Sequence, residues 1–249
     1  MRMILRSIKI EKRFLTLERP DNIAFKFDPN IQFITGPNGY GKTTLLNLIY
    51  QMILQDDLNK ELKDVVGYVK LETSQGDIIY DEDKGGRLQK NIKNTPQILY
   101  KKQENPGYNF TADDARLILC DEEILKLANE YYMDDRDELV FDLNTGKMVF
   151  RNKKIGNTYL VENAPISIQN ILMMFLFAKQ TQKGDVLLLD MPEEHLHIVV
   201  QIELMEKLTS MCRGQIIVTT HSPSIFQHWG FSQVKDLYEI EKGNDDNNN

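Results

Sequence analysis

Cysteine is scarce in this sequence of 249 residues: only Cys120 and Cys212 are present, and they lie far apart. Two isolated cysteines argue against a disulfide framework and a zinc ribbon, and they are typical of a reducing cytosol. Long apolar runs are missing too, because the longest, Ile171–Ala178, is too short to span a membrane. The N-terminus lacks the charged, apolar and small segments of a signal peptide. We therefore expect a cytoplasmic protein that makes no membrane contact.

An excess of positive charge is also lacking. The 30 lysines and arginines are outnumbered by 37 aspartates and glutamates, which gives a net charge of −7. This balance argues against a generally basic nucleic-acid binder. Two local basic stretches leave DNA contact as the less favoured alternative to a solvated charged surface. They contain Arg87, Lys90, Lys93, Lys101 and Lys102, and Arg151, Lys153 and Lys154.

Short apolar runs alternate with amphipathic segments in the outer thirds of the chain. The runs predict strands and the amphipathic segments predict helices, and their alternation is typical of an α/β fold with a mostly parallel sheet. Strands are expected at Met3–Ile10, Ile23–Phe27, Ile31–Thr35, Gln97–Lys101, Asp185–Leu189, Gln215–Thr219 and Val234–Ile240, and helices at Thr43–Gln55, Ile168–Gln180 and Val199–Met211.

The middle third, at about residues 65–163, interrupts this alternation. Turn residues and spacing predict a hairpin (Val65–Leu71 with Asp77–Tyr80), a polar loop (Asp81–Lys93), one or two helices (Asp113–Met133) and a second hairpin (Leu139–Leu143 with Met148–Arg151). We therefore expect a single domain at residues 1–242 with N-terminal antiparallel strands and an inserted hairpin and helical layer. The tail at residues 243–249 is almost all Asn and Asp, and it is expected to be disordered.

A glycine-rich turn joins the expected strand Ile31–Thr35 to the first long helix. It fits the pattern G-x-x-x-x-G-K-[ST], in which backbone N–H groups and the helix N-terminus surround phosphate oxygens. The lysine of this pattern reaches the β- and γ-phosphates, and the hydroxyl after it binds Mg²⁺. A chance glycine turn is the alternative interpretation, and the strand–turn–helix context argues against it. The turn consists of Gly36, Pro37, Asn38, Gly39, Tyr40, Gly41, Lys42 and Thr43, and Thr44 adds a second hydroxyl.

An acidic residue, Asp190, follows the expected apolar strand Asp185–Leu189. Asp190 at such a position is typical of a Mg²⁺ ligand, although a helix N-cap before Pro192 is the alternative. Hydrolysis also needs a group that orients or deprotonates water. The candidates are the pair Glu193 and Glu194, and His221 at the end of a later strand, where a buried structural histidine is the alternative.

Together these motifs resemble ABC-type P-loop ATPases of the AAA family, in particular the SMC/RecF/OLD (overcoming-lysogenization-defect) branch. The family begins with a strand, an Arg-Phe pair and GPNGxGKTT, which are here Ile8–Ile10, Arg13-Phe14 and Gly36–Thr44. Its LLLDEPExHLHP motif is matched by Leu187–His197 as LLLDMPEEHLH, and its TTHSP motif by Thr219–Pro223. Ile98–Glu104 resembles the family's Q-loop. Apart from this segment, the middle third matches nothing in the family pattern.

The resemblance implies a role for each matching residue. Lys42 and Thr43 would bind phosphate and Mg²⁺, Asp190 would orient Mg²⁺, and Gln103 would sense the γ-phosphate and Mg²⁺. His221 would be the switch histidine near the γ-phosphate. The cofactors implied are ATP and Mg²⁺.

Two departures from the family pattern bear on hydrolysis. The usual water-activating Glu after the Asp is Met191, and a thioether cannot accept a proton at neutral pH. The family's serine-glycine signature, with which one subunit caps the ATP of the other, is reduced to Ser167-Ile168-Gln169-Asn170 and has no glycine. Glu193 or Glu194 is left as a replacement base, so ATP binding is better supported than turnover.

Two functions follow from these observations. One is an ATPase that dimerises or forms a higher oligomer on ATP and gates an effector protein; relatives imply a bacterial anti-phage or DNA-repair setting. The other is a nucleotide-gated scaffold that binds ATP with little or no hydrolysis. A transporter cassette is disfavoured by the poor signature. Phe14 is one candidate for stacking on adenine, and its burial in the first sheet is the alternative. Tyr40 is expected to lie over the ribose or against a dimer partner instead.

Overall fold

The structure is a computed structural model, and it describes residues 3–15, 23–101, 112–119, 137–142, 144–164, 166–194, 196–230 and 232–238. The chain divides into two compact units. Unit 1 is drawn from Met1–Lys102, Thr181–Pro192 and Cys212–Asn249, and unit 2 from Gln103–Gln180 and Glu193–Met211. Each unit is described by itself.

The described strands and helices follow one another in this order along the chain. The strands are β1 (Leu5–Phe14), β2 (Ile23–Lys26), β3 (Ile31–Thr35), β4 (Val66–Thr73), β5 (Gly76–Asp81), β6 (Leu88–Lys90), β7 (Ile98–Lys101), β8 (Asp137–Asp142), β9 (Lys147–Asn152), β10 (Thr158–Leu160), β11 (Val186–Asp190), β12 (Gln215–Thr219) and β13 (Val234–Asp236). The α-helices are α1 (Lys42–Leu54), α2 (Lys60–Val65), α3 (Ala112–Leu119), α4 (Ile166–Gln180), α5 (Ile198–Met211) and α6 (Pro223–His228).

A five-stranded parallel sheet carries the functional motifs of unit 1. Its strand order is β13-β3-β12-β11-β7, and every neighbouring pair is parallel. All five residues of β3, β11 and β12 are buried, as expected for central strands of a sheet that is covered on both faces. The mostly parallel α/β sheet predicted from the sequence is therefore confirmed.

The second sheet of unit 1 is antiparallel, with the order β2-β1-β4-β5-β6. Its buried side chains alternate with exposed ones and form one apolar core with α1 and part of the parallel sheet. Gln215 at the start of β12 links the two sheets: its side chain accepts a hydrogen bond from Leu5 N and donates to Leu5 O and Asp28 O. This link fixes the N-terminal antiparallel strands, which were also expected from the sequence.

Unit 2 contains a three-stranded antiparallel sheet with the order β10-β9-β8, together with α3, α4 and α5. Helix α4 packs against both α3 and α5. Because α4 is surrounded in this way, almost its whole length from Ser167 to Leu176 is buried. The apolar character of this segment in the sequence reflects that burial rather than a membrane span.

Several local predictions need correction. The predicted loop Asp81–Lys93 is wrong in part, because β6 pairs with β5 there; the strand has three residues, of which only Leu88 is apolar, so it leaves no apolar alternation in the sequence. The last strand ends at Asp236 rather than Ile240. The short helices α2 and α6, capped by the side chains of Asn59 and Ser222, were not predicted.

The predicted insertion at residues 65–163 is divided between the two units. Its first part, β4 to β7, belongs to the two sheets of unit 1, and unit 2 begins at Gln103. Helix α3 begins one residue before the predicted helical stretch Asp113–Met133, and the part of that stretch beyond Leu119 lies outside the described residues. The predicted tail at residues 243–249 also lies outside them. The single domain with an insertion stays a prediction.

Candidate functional site

The glycine-rich turn leads from the carboxyl end of β3 into α1. Gly36, Gly39 and Gly41 all have positive φ angles, of 141°, 78° and 81°. Gly41 is the N-cap of α1 and provides no side-chain cap, and the start of such a 13-residue helix is a place where backbone amides and the helix dipole favour an anion. A side chain at Gly41 would meet the Phe14 ring, since a Cβ there would lie 2.7 Å from Phe14 Cε1.

Lys42, in the first turn of α1, is buried although it carries an ammonium group, with only 4% of its surface exposed. Its Nζ donates hydrogen bonds to Gly36 O at 2.8 Å and to Pro37 O at 3.0 Å. The loop therefore wraps around the lysine that the sequence predicted to bind phosphate. Because Nζ lies against the loop carbonyls, a phosphate group bound in the loop would meet this ammonium through charge-assisted hydrogen bonds.

Asp190 ends β11 at the same edge of the sheet, and it is fully buried. Its Oδ1 accepts two hydrogen bonds, from Thr219 Oγ1 at 2.5 Å and from Thr43 Oγ1 at 3.1 Å. Its Oδ2 is buried and has no hydrogen-bond partner among the residues that the structure describes. A buried carboxylate oxygen in this condition, beside a threonine hydroxyl, suits Mg²⁺ or a water of its coordination shell. The residues present therefore fit the metal ion.

Met191 follows Asp190 in a left-handed backbone conformation, with φ of 49°. Its N–H donates to Thr219 O at 3.1 Å and to Thr219 Oγ1 at 3.2 Å, and its side chain is buried. A residue without a proton-accepting group thus stands at the position where the resembling family has its catalytic glutamate. The methionine itself is visible in the sequence, whereas its left-handed backbone conformation could not be predicted from the sequence.

His221 belongs to unit 1 and comes two residues after the end of β12. Its side chain is exposed, which removes the alternative of a buried structural histidine. The backbone before it is fixed, because Thr220 N donates to Ile34 O on β3 and Thr220 Oγ1 accepts from Ser222 N. His221 is therefore held on the edge from which the phosphate loop also emerges, and its catalytic role stays a prediction.

The remaining predicted site residues lie in unit 2 or outside the described residues. Glu193 is buried in a turn, and its carbonyl accepts a hydrogen bond from Leu196 N; its role as a base stays a prediction. Ser167–Asn170 form part of helix α4 itself and are buried, rather than lying in a loop before the helix. Gln103 lies outside the described residues.

Two aromatic residues of unit 1 that were weighed for the nucleotide have definite surroundings. Phe14 is buried against Gly41, so the structure favours burial over adenine stacking. Tyr40, within the phosphate loop, contacts the edge of Tyr238, with ring centroids 5.8 Å apart. Tyr238 was missed by the sequence analysis, since nothing in the local pattern after β13 links it to a loop nearly 200 residues earlier.

The two basic stretches supply fewer free cations than the sequence suggested. Lys90 Nζ donates to Ile53 O, and burial lowers the pKa of this lysine. Arg151 is paired with Glu138, with Nη2 and Oε1 2.6 Å apart.

In the described part of the chain, no helix has the length and apolar content needed to cross a membrane.

Comparisons with known proteins agree with this geometry. The SMC head bound to the C-winged helix domain of ScpA is 11% identical, with a TM-score of 0.54 over 94% of this chain and 93% of that one. The SMC head domain from Thermotoga maritima is 14% identical, with a TM-score of 0.53 over 95% and 94%. The Smc head domain with an extended coiled coil, bound to the C-terminal domain of ScpA derived from Pyrococcus furiosus, is 9% identical, with a TM-score of 0.55 over 94% and 93%.

At these identities the likeness establishes the fold alone. A comparison with curated protein sequences gave no match. The sequence itself matches the AAA domain family AAA_23 over residues 12–138, which is half of the chain. The OLD branch and the antiviral setting stay proposals. The chain belongs to the AAA_23 family, and it is an ATP-binding P-loop protein with the fold of SMC head domains.

Proposed function

We propose that this protein binds ATP together with Mg²⁺ in the loop Gly36–Thr44, associates with a second copy when ATP is bound, and gates a partner protein while hydrolysing ATP slowly. One observation carries the proposal: the phosphate loop lies beside Asp190, a buried carboxylate with one oxygen bonded to Thr43 and Thr219 and the other left for a cation. An anion site and a cation site side by side suit a nucleotide triphosphate with its metal ion.

The site residues of unit 1 each have a defined role in this proposal. Lys42 and the first amides of α1 bind the β- and γ-phosphates, while Thr43 and Asp190 hold Mg²⁺ directly or through water. The bound Mg²⁺ neutralises phosphate charge. His221, exposed at the same edge of the sheet, contacts the γ-phosphate. From the motif resemblance alone, Gln103 is proposed as a metal sensor and Glu193 as a general base.

Association with other proteins is the second part of the proposal. The signature segment Ser167–Asn170 reaches the nucleotide of a second copy in the resembling family, which supports a homodimer or higher oligomer. Two of the structurally similar heads were determined bound to domains of ScpA, which supports a protein partner for this chain as well. An effector in a bacterial anti-phage or DNA-repair system is the setting that the motif resemblance favours.

A scaffold that binds ATP without turnover is the second candidate, and Met191 favours it. The side chain after Asp190 is buried and cannot take a proton from water. Loss of a general base costs about two to four powers of ten in rate. Turnover of about one per second or faster, a normal rate for enzymes, would contradict this candidate.

Calorimetry with ATP·Mg²⁺ tests the proposal directly. The wild-type protein is expected to bind, and Lys42→Ala is expected to weaken binding by about 10- to 100-fold, because charge-assisted hydrogen bonds to phosphate are lost. Lys60→Ala is the matched control, since Lys60 begins helix α2 and is exposed. Absence of nucleotide binding by the folded wild-type protein would overturn the proposal. Gel filtration with and without ATP·Mg²⁺ tests whether a second copy associates when ATP is bound. Measured phosphate release distinguishes the slow ATPase from the scaffold, because only the ATPase releases phosphate.

A further inference from the structure

Thr219, a buried residue in none of the predicted nucleotide roles, forms the closest contact to Asp190. Thr219 and Asp190 are the last residues of β12 and β11, and they are direct neighbours in the parallel register. Both are fully buried. Because paired residues of adjacent parallel strands point to the same face of a sheet, the hydroxyl reaches the carboxylate, and Thr219 Oγ1 lies 2.5 Å from Asp190 Oδ1.

The direction of the hydroxyl proton follows from the neighbouring hydrogen bonds. Met191 N–H donates to Thr219 Oγ1, so that bond uses a lone pair of the hydroxyl oxygen. A threonine hydroxyl has one proton, and this proton is therefore available for Asp190. Thr219 acts as a donor to the carboxylate, and the backbone of the residue after Asp190 keeps it in that orientation.

The consequence for Asp190 is a carboxylate with two unlike oxygens. Oδ1 accepts hydrogen bonds from Thr219 and Thr43, whereas Oδ2 has no partner among the described residues although it is equally buried. Two donors on one oxygen fix the rotation of the carboxylate group and leave the other oxygen for a cation. We propose that Thr219 is a positioning residue that presents Asp190 Oδ2 to Mg²⁺; this inference rests on the proposed ATP·Mg²⁺ site.

The proposal makes a specific statement about metal dependence. Removing the Thr219 hydroxyl affects the Mg²⁺-dependent part of nucleotide affinity and leaves the part due to the phosphate loop unchanged, because this hydroxyl is hydrogen-bonded to Asp190 and Met191. Partners that orient metal ligands typically contribute about 10- to 100-fold to metal affinity. A residue that only supported the fold would instead weaken nucleotide binding equally with and without Mg²⁺.

Isothermal titration with a non-hydrolysable ATP analogue tests this statement, in Mg²⁺ and in EDTA. Thr219→Val keeps the shape of the side chain and removes the hydroxyl, and Thr219→Ser keeps the hydroxyl. The Mg²⁺ concentration for half-maximal tight binding should rise about 10-fold or more in Thr219→Val and stay close to wild type in Thr219→Ser. Affinity in EDTA should be unchanged in both variants.

Thr181→Val is the matched control, because Thr181 is an equally buried threonine whose hydroxyl bonds to Cys212 and Arg213 instead. Equal Mg²⁺ dependence of Thr219→Val and wild type, or equal weakening in Mg²⁺ and EDTA, would overturn the positioning role. If Thr219→Val does not fold, Thr219→Cys, which keeps only a weak donor, must show the same shift. A wild-type protein that binds no nucleotide would instead refute the proposed function itself.

Discussion

Replacement of Gly41 by alanine is expected to destabilise the protein even when no nucleotide is bound. Gly41 has a φ of 81°, and an added Cβ would lie 2.7 Å and 3.0 Å from two carbons of the buried Phe14 ring and 2.8 Å from Leu15 Cδ1. Leu15 is partly exposed and its methyl group can move. The Phe14 ring is packed in the core, so relief there requires a shift of its neighbours.

The expected cost has two parts that can be separated. The left-handed conformation costs a residue with a Cβ about 1–2 kcal/mol, and forcing atoms into a packed core costs about 1–3 kcal/mol. Gly41→Ala is therefore expected to lower the free energy of unfolding by about 2–5 kcal/mol. Gly39→Ala is the matched control: Gly39 has nearly the same φ, 78°, but no atom within 4 Å of an added Cβ, so only the first part applies.

Urea unfolding without nucleotide measures both variants, and a double-mutant cycle identifies the atoms responsible. Phe14→Leu removes the two ring carbons that meet the new Cβ. The loss in the double variant Phe14→Leu/Gly41→Ala should fall short of the sum of the single losses by about 1 kcal/mol or more. Additive losses, together with equal costs for Gly41→Ala and Gly39→Ala, would refute the contact between the ring and the phosphate loop.

Two further predictions concern the reaction and the acid stability. Met191→Glu should raise ATP hydrolysis by about 100-fold or more by restoring a proton acceptor, whereas the similarly shaped Met191→Gln should not; equal phosphate release by both would contradict this. Hydrogen bonding from Lys12 lowers the pKa of Asp81 in the folded protein, so this pair stabilises the fold at neutral pH and ceases to do so as the pH falls below about 4. The difference in Tm between wild type and Asp81→Asn should accordingly be largest at pH 7 and shrink in acid, and a constant difference would argue against the pairing.

The central part of the fold could be predicted because its residues carry the signal themselves. Strands β3, β11 and β12 are buried at every position, and their sequences are short and mainly apolar. Strand β6 gave no such signal, because only Leu88 of its three residues is apolar and it is held by pairing with β5. Helix α2 is likewise short, and it is defined by the Asn59 cap rather than by a long amphipathic repeat.

The site shows the same division between local and distant information. The phosphate loop is contiguous in the chain, and its glycine spacing is dictated by backbone angles, so its position could be predicted. The partners of Asp190 could not, because Thr43 and Thr219 are 147 and 29 residues away from it and are brought to it by the order of the strands. Tyr238 was missed for the same reason, since it meets Tyr40 only after β13 has joined the edge of the sheet.

Backbone contacts at Met191 explain how nucleotide binding and hydrolysis can be separated in this fold. The turn after β11 is fixed by hydrogen bonds from Met191 N–H to Thr219, and these bonds do not depend on the side chain at position 191. Exchange of the family's glutamate for methionine therefore removes a proton acceptor without disturbing Asp190, whose partners are the hydroxyls of Thr43 and Thr219. Under the proposed function, the chain would therefore keep its Mg²⁺ and phosphate ligands while turnover falls, which is the combination that a slow ATP-dependent switch requires.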